Sequence, residues 1–105
     1  MPNVPAPIQR MIDATNRGDT PAFLASFTET VYLVDWGREF SGQDGLARWN
    51  QTDNIGKLAH FEVIESNPRG AEEVVTLSVT GGGYNGTGDI SFTLEGDLIS
   101  RMIIS

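Results

Sequence analysis

The strongest constraint in this chain is a change of period. In its last third the apolar residues alternate: Thr76, Ser78 and Thr80 interleave with Val75, Leu77 and Val79, and Ser91, Thr93 and Glu95 interleave with Ile90, Phe92 and Leu94. Successive strand side chains point to opposite faces, so each run has one apolar face and one polar face. Gly96-Asp97 closes a tight hairpin into a last strand over 98–104, and the Pro and Gly of "SNPRGAEE" turn an earlier strand, 61–66, into the first alternating run. The result is an antiparallel meander with one face to cover.

The first half supplies the cover. Ile8, Met11, Ile12 and Thr15 recur at helical spacing after Pro5 and Pro7 and before Gly18, which predicts a helix over about 6–17. "GDTPAFLASF" restarts a short helix: Asp19 or Thr20 caps it, Pro21 fits its first turn, and Phe23, Leu24 and Phe27 form its apolar face. A strand over 31–36 follows, and "SGQDGLARWNQTD" reads as a third helix with Leu46, Trp49 and Asp53 along one stripe. Helices and one strand followed by a meander predict an α+β domain, 1–105, with helices packed in the concave face of a curved, mostly antiparallel sheet.

Charge and composition exclude several functions. Seven Lys plus Arg against fourteen Asp plus Glu give a net charge of −7, and no basic run could neutralise a row of phosphates, so nucleic acid is not an expected partner. No window has the apolar length of a membrane span, and "MPNVPAPIQR" lacks the basic and apolar regions of a signal peptide; a cytoplasmic protein is expected. With no cysteine and a single His60, neither a thiolate nucleophile nor a spaced metal-ligand set exists, and no cofactor is expected. The glycine cluster "TGGGYNGTG" lacks the Gly-Lys-Ser/Thr and the following helix of a phosphate loop. It reads instead as a bulged, sharply bent strand pair that lets the sheet curl around a cavity.

The stretch "VYLVDWGREFSG" carries the most chemistry. Alternation places Asp35 on the same face as Val31 and Leu33, where a carboxylate is poorly solvated and its pKa is expected to rise toward the range of a general base. A second reading makes Asp35 an acceptor for backbone N–H groups of the turn at Trp36–Glu39. The residue pattern leaves both open.

At this point the chain resembles a known family. A first helix ending in Asn16-Arg17-Gly18-Asp19, a Pro-started helix with Phe27, a strand ending in Asp35, Ser41-Gly42 leading into a helix, and the meander are together similar to the NTF2-like superfamily, in its SnoaL-like and ketosteroid-isomerase-like branch. The resemblance covers nearly the whole chain. It implies a cone-shaped domain around an apolar pocket, usually in a homodimer, with Asp35 at the position of the base that moves a proton next to a carbonyl. It also implies two donors for the enolate oxygen, and both positions depart from the pattern: the helix position is Met11, and the late-strand position is Ile90, with Asp89 on the opposite face. Losing both donors argues against steroid isomerisation.

These readings give a set of expectations. Asp35 is the catalytic base of an isomerase, cyclase or epoxide-hydrolase-like reaction on a small apolar molecule. Met11, Phe27, Leu33, Trp49 and Phe92 converge on a cavity that Trp36 and Tyr84 also line, with Asp53 reaching its mouth. The lone His60 is the remaining neutral-pH acid/base candidate. The alternatives are a lipophilic-ligand binding protein without chemistry and a dimeric interaction module.

Overall fold

The computed structural model describes residues 3–105. Three helices, α1 (Ala6–Asn16), α2 (Thr20–Ala25) and α3 (Gly42–Asp53), pack on a six-stranded sheet of β1 (Phe27–Asp35), β2 (Arg38–Ser41), β3 (His60–Arg69), β4 (Glu72–Thr80), β5 (Gly86–Glu95) and β6 (Leu98–Ile104). The strands lie in the order β2-β1-β6-β5-β4-β3, and only the β1–β6 pair is parallel. This is the expected curved, mostly antiparallel sheet with helices on one face.

Local chemistry starts the helices where the sequence suggests. Pro7 sits in the first turn of α1, and the Asp19 carboxylate accepts the Ala22 N–H at 3.1 Å to cap α2. The apolar stripe of α1, Ile8, Met11 and Ile12, is buried, and Phe23 of α2 meets Phe27 in a tilted pair and Trp49 in a stacked one, with ring centroids 5.1 and 6.3 Å apart. Phe27 opens β1 instead of closing α2, because the Ser26 carbonyl accepts the Ile99 N–H at 2.9 Å and draws the chain into the sheet there. The Asn16 side chain grips the exposed edge of β3 by donating to the Phe61 carbonyl at 2.9 Å and accepting the Phe61 N–H at 2.7 Å. An edge strand otherwise presents unpaired backbone groups.

The glycine cluster departs from expectation. Its residues 81–85 form the loop between β4 and β5, and Gly86 and Gly88 belong to β5, where the β4–β5 register runs unbroken to Val79↔Gly86, so no bulge lies there. The Asn85 side chain holds the loop, accepting the Gly81 N–H at 3.1 Å and donating to the carbonyls of Gly81 and Gly83. Asparagine readily closes such local rings, which removes the need for a strand irregularity. The register shifts lie elsewhere, at Phe27/Tyr32, Val63/Glu65 and Thr93/Leu94.

β2 was not anticipated as a strand. Trp36 and Gly37 form a two-residue hairpin turn, with φ of 51° and 84°, that folds Arg38 back opposite Asp35. Two positive φ values are the mark of a type I′ turn, whose first position favours Asn and disfavours a bulky aromatic residue. Trp36 is 73% exposed and gains little packing in return. Trp36→Asn is expected to raise unfolding stability by about 1 kcal/mol, read by urea denaturation; an unchanged or lower midpoint would show that Trp36 has contacts that outweigh its backbone conformation.

Candidate functional site

The helices do not cover the whole concave face. Across the sheet, Leu33, Met102 and Phe92 stand in one register row and Asp35, Ile104, Ile90 and Val75 in the next one out. The first row lies sealed beneath the helices. Beyond it opens a cavity of about 730 Å³, walled by Trp49, Phe61, Leu77, Val79, Ile90 and Ile104, with Asp35, Arg38, Asp53, Lys57 and Tyr84 among its polar lining.

This level along the strands corrects part of the expected site. Trp36, Trp49, Asp53, Tyr84 and Asp35 line the cavity, whereas Met11, Phe27, Leu33 and Phe92 do not. Those four are buried core side chains. Leu33 and Phe92 lie on the correct face of the sheet but one row deeper than Asp35 and Ile90, Phe27 lies at the far start of β1, and Met11 belongs to α1. His60 is exposed at the start of β3 and is not part of the lining.

Asp35 has partners that alternation does not reveal. Its side chain is 14% exposed, and its Oδ2 accepts both the Arg38 Nη2–H at 2.6 Å and the Trp49 indole N–H at 2.9 Å. Among the described residues no donor reaches Oδ1. Backbone N–H groups of the Trp36-Gly37 turn do not bond the carboxylate; the Trp36 N–H donates to the Ile104 carbonyl instead. Asp35 is therefore held by side chains from β2 and α3 through one oxygen, and the residue is part of the cavity lining.

Arg38 links Asp35 to a second carboxylate. Its Nη2 and Nη1 donate to the two Asp53 oxygens at 3.2 and 3.4 Å, and the Thr52 hydroxyl donates to Asp53 Oδ2 at 2.7 Å. The guanidinium also lies 5.6 Å from the centre of the Phe40 ring. Burial raises the Asp53 pKa, but the Thr52 and Arg38 hydrogen bonds and the charges of Arg38 and Lys57 outweigh it, so the carboxyl titrates below its ordinary value of 3.8. Arg38 escaped the sequence reading because its signal lay in the turn: a two-residue "WG" hairpin makes Asp35 and Arg38 cross-strand neighbours. Among the described residues no cluster of three or more His, Cys, Asp or Glu side chains could hold a metal ion, and no helix is long and apolar enough to cross a membrane.

Comparison with solved structures fits this geometry. A candidate polyketide cyclase from Sinorhizobium meliloti superposes with a TM-score of 0.87 at 26% identity, covering 97% of this chain and 95% of its own. An NTF2-like protein of unknown function from Cytophaga hutchinsonii gives 0.82 at 13% identity, over 100% of this chain and 90% of its own. The fold is NTF2-like. RV0760c from Mycobacterium tuberculosis, solved with estradiol-17beta-hemisuccinate, shares this NTF2-like fold at a TM-score of 0.83 and 16% identity, over 97% and 93% of the two chains. No protein-family model and no curated protein matches the sequence.

The depressed Asp53 pKa has a defined consequence. A carboxyl whose folded pKa lies below its unfolded value stabilises the fold above the unfolded value, and that contribution fades as pH falls from 3.8 through the folded pKa. Asp53→Asn is therefore expected to be less stable than the parent at pH 7, with the gap closing below pH 3.8 in paired denaturation curves. A gap of constant size across that window would mean that the Asp53 charge contributes nothing.

Proposed function

We propose that this protein binds a small, largely apolar molecule in the cavity and that Asp35 takes a proton from it. The observation that carries this reading is the division of labour within the carboxylate of a cavity-lining residue: Oδ2 is anchored by Arg38 and Trp49, while among the described residues no donor reaches Oδ1. A general base needs a fixed orientation and an unoccupied lone pair within reach of the substrate, and this arrangement provides both. The reaction class is proton transfer of isomerase, cyclase or epoxide-opening type. Lys57, Arg38 and Tyr84 are among the lining residues that could donate to negative charge developing on the substrate.

Steroid isomerisation fits poorly. Met11 is sealed in the core, Ile90 occupies the late-strand position, and Asp89 accepts the Thr76 hydroxyl at 2.6 Å on the other face of the sheet. The steroid ester bound by RV0760c supports an apolar ligand class here without fixing the reaction.

Asp35→Asn tests the base. The amide oxygen can still accept the Trp49 N–H, and the lost partner, Arg38, is 54% exposed, so stability is expected to change by about 1 kcal/mol or less. Binding of apolar ligands should persist. Hydrogen–deuterium exchange next to the carbonyl in a panel of small ketones, followed by NMR, should fall by roughly two orders of magnitude or more. Exchange at the parent rate in the folded variant would remove Asp35 from the chemistry and leave a binding protein.

The same reading includes a homodimer through the convex face of the sheet. Val34, Ile103 and Val74 lie in one register row there, half-buried, with Ser91 between the last two. A second copy would cover this apolar row. Sedimentation at micromolar concentration is expected to give a dimer that Ile103→Glu dissociates; a monomeric parent protein would refute the pairing.

A further inference from the structure

β5 has no side chain on the concave face at two successive positions. Ile90 points into the cavity wall, and alternation puts Gly88 and Gly86 on the same face, opposite Leu77 and Val79 of β4. The two glycines are there for different reasons. A Cβ at Gly86 would stand 2.6 Å from the Tyr84 hydroxyl, so Gly86 makes room for the phenol that lies across it. At Gly88 a Cβ would meet nothing within 4 Å, and the backbone is not in the left-handed region.

Neither local sterics nor backbone conformation thus calls for glycine at position 88. Glycine inside a strand weakens it, since it has the most conformational freedom to lose and no side chain to pack. A residue that costs stability and relieves no clash is accounted for by the space it leaves in front of it. That space is the cavity, which Gly88 and Tyr84 both line, with the Tyr84 phenol over the neighbouring same-face Gly86.

Resting on the proposed ligand-binding reading, we infer that Gly88 is a specificity-determining position: the ligand's body lies with a flat face against the bare backbone of β5 while its reacting end meets Asp35. The register sets the distance between the two points. Asp35 pairs with Ile104 and Ile104 with Ile90, so Gly88 lies two strands across and two residues along from Asp35. Strand spacing and rise make this roughly 12 Å. A ligand touching both is elongated, and the backbone surface favours one that is thin where it crosses Gly88. A globular molecule of the same size would stand off the strand and lose that contact.

The test uses two ten-carbon alcohols, flat 2-naphthol and globular 1-adamantanol, titrated calorimetrically into the parent protein, Gly88→Ala and Gly88→Val, with thermal melts alongside. The parent should bind 2-naphthol more tightly than 1-adamantanol. Gly88→Val should weaken 2-naphthol roughly tenfold or more, equivalent to losing about 1.4 kcal/mol. Gly88→Ala should weaken it less and melt higher than the parent. Undiminished 2-naphthol affinity in a folded Gly88→Val protein, tighter binding of 1-adamantanol by the parent, or a lower melting temperature for Gly88→Ala would each overturn the inference. Should Gly88→Val not fold, the alanine variant decides alone by affinity and melt. Asp35→Asn separates the two proposals: if it binds 2-naphthol normally but has lost proton exchange while Gly88→Val binds unchanged, the base stands and the Gly88 role falls. Failure of the parent to bind either alcohol overturns both.

Discussion

Everything in this molecule follows from a mismatch between the apolar area of the sheet and the helices available to cover it. Six strands turn one apolar face inward, and helices of 11, 6 and 12 residues lie across it. They seal the row of Leu33, Met102 and Phe92 and stop short of the next rows. A face left half covered has to be wet, filled or occupied by a ligand. Placing a carboxylate in the first row that reaches the cavity, beside an indole and a guanidinium, gives that gap a reactive end.

The charged groups at this end depend on one another. Asp35 alone on an apolar wall would lose much of its hydration with nothing in exchange. Arg38 and Trp49 supply the missing hydrogen bonds to one oxygen, and Asp53 with Thr52 steadies Arg38 in turn. The bridge spans three elements, β1, β2 and α3, so the orientation of Asp35 rests on the Trp36-Gly37 turn that brings β2 back along β1.

Much of the fold could be read from period alone. The alternation of Val75–Val79 and Ile90–Leu94 gave the strands and their inner face, and the stripe of Ile8, Met11 and Ile12 gave the first helix, since each pattern records which side of one element is buried. What period does not record is height. Leu33 and Phe92 share the inner side of the sheet with the cavity residues, Phe27 opens β1 and Met11 belongs to α1, and only tertiary packing decides that all four are buried away from the cavity. Arg38 was hidden for a related reason: its role depends on a cross-strand pairing fixed by a two-residue turn with tryptophan at a position where asparagine is usual. The bulge read into the glycine cluster failed because Asn85 closes that loop with its own side chain.

The placing of the two tryptophans gives the protein a built-in optical probe. Trp36 stands in solvent at the turn, while Trp49 is almost wholly enclosed and donates its indole N–H to the carboxylate at the centre of the site. Their emission is therefore expected to divide into a quenchable component from Trp36 and a shielded one from Trp49. With asparagine in place of Trp36, a single tryptophan remains, hydrogen-bonded to the Asp35 carboxylate. Ligand entry beside Trp49 is then expected to register in the intrinsic tryptophan fluorescence of an unlabelled chain.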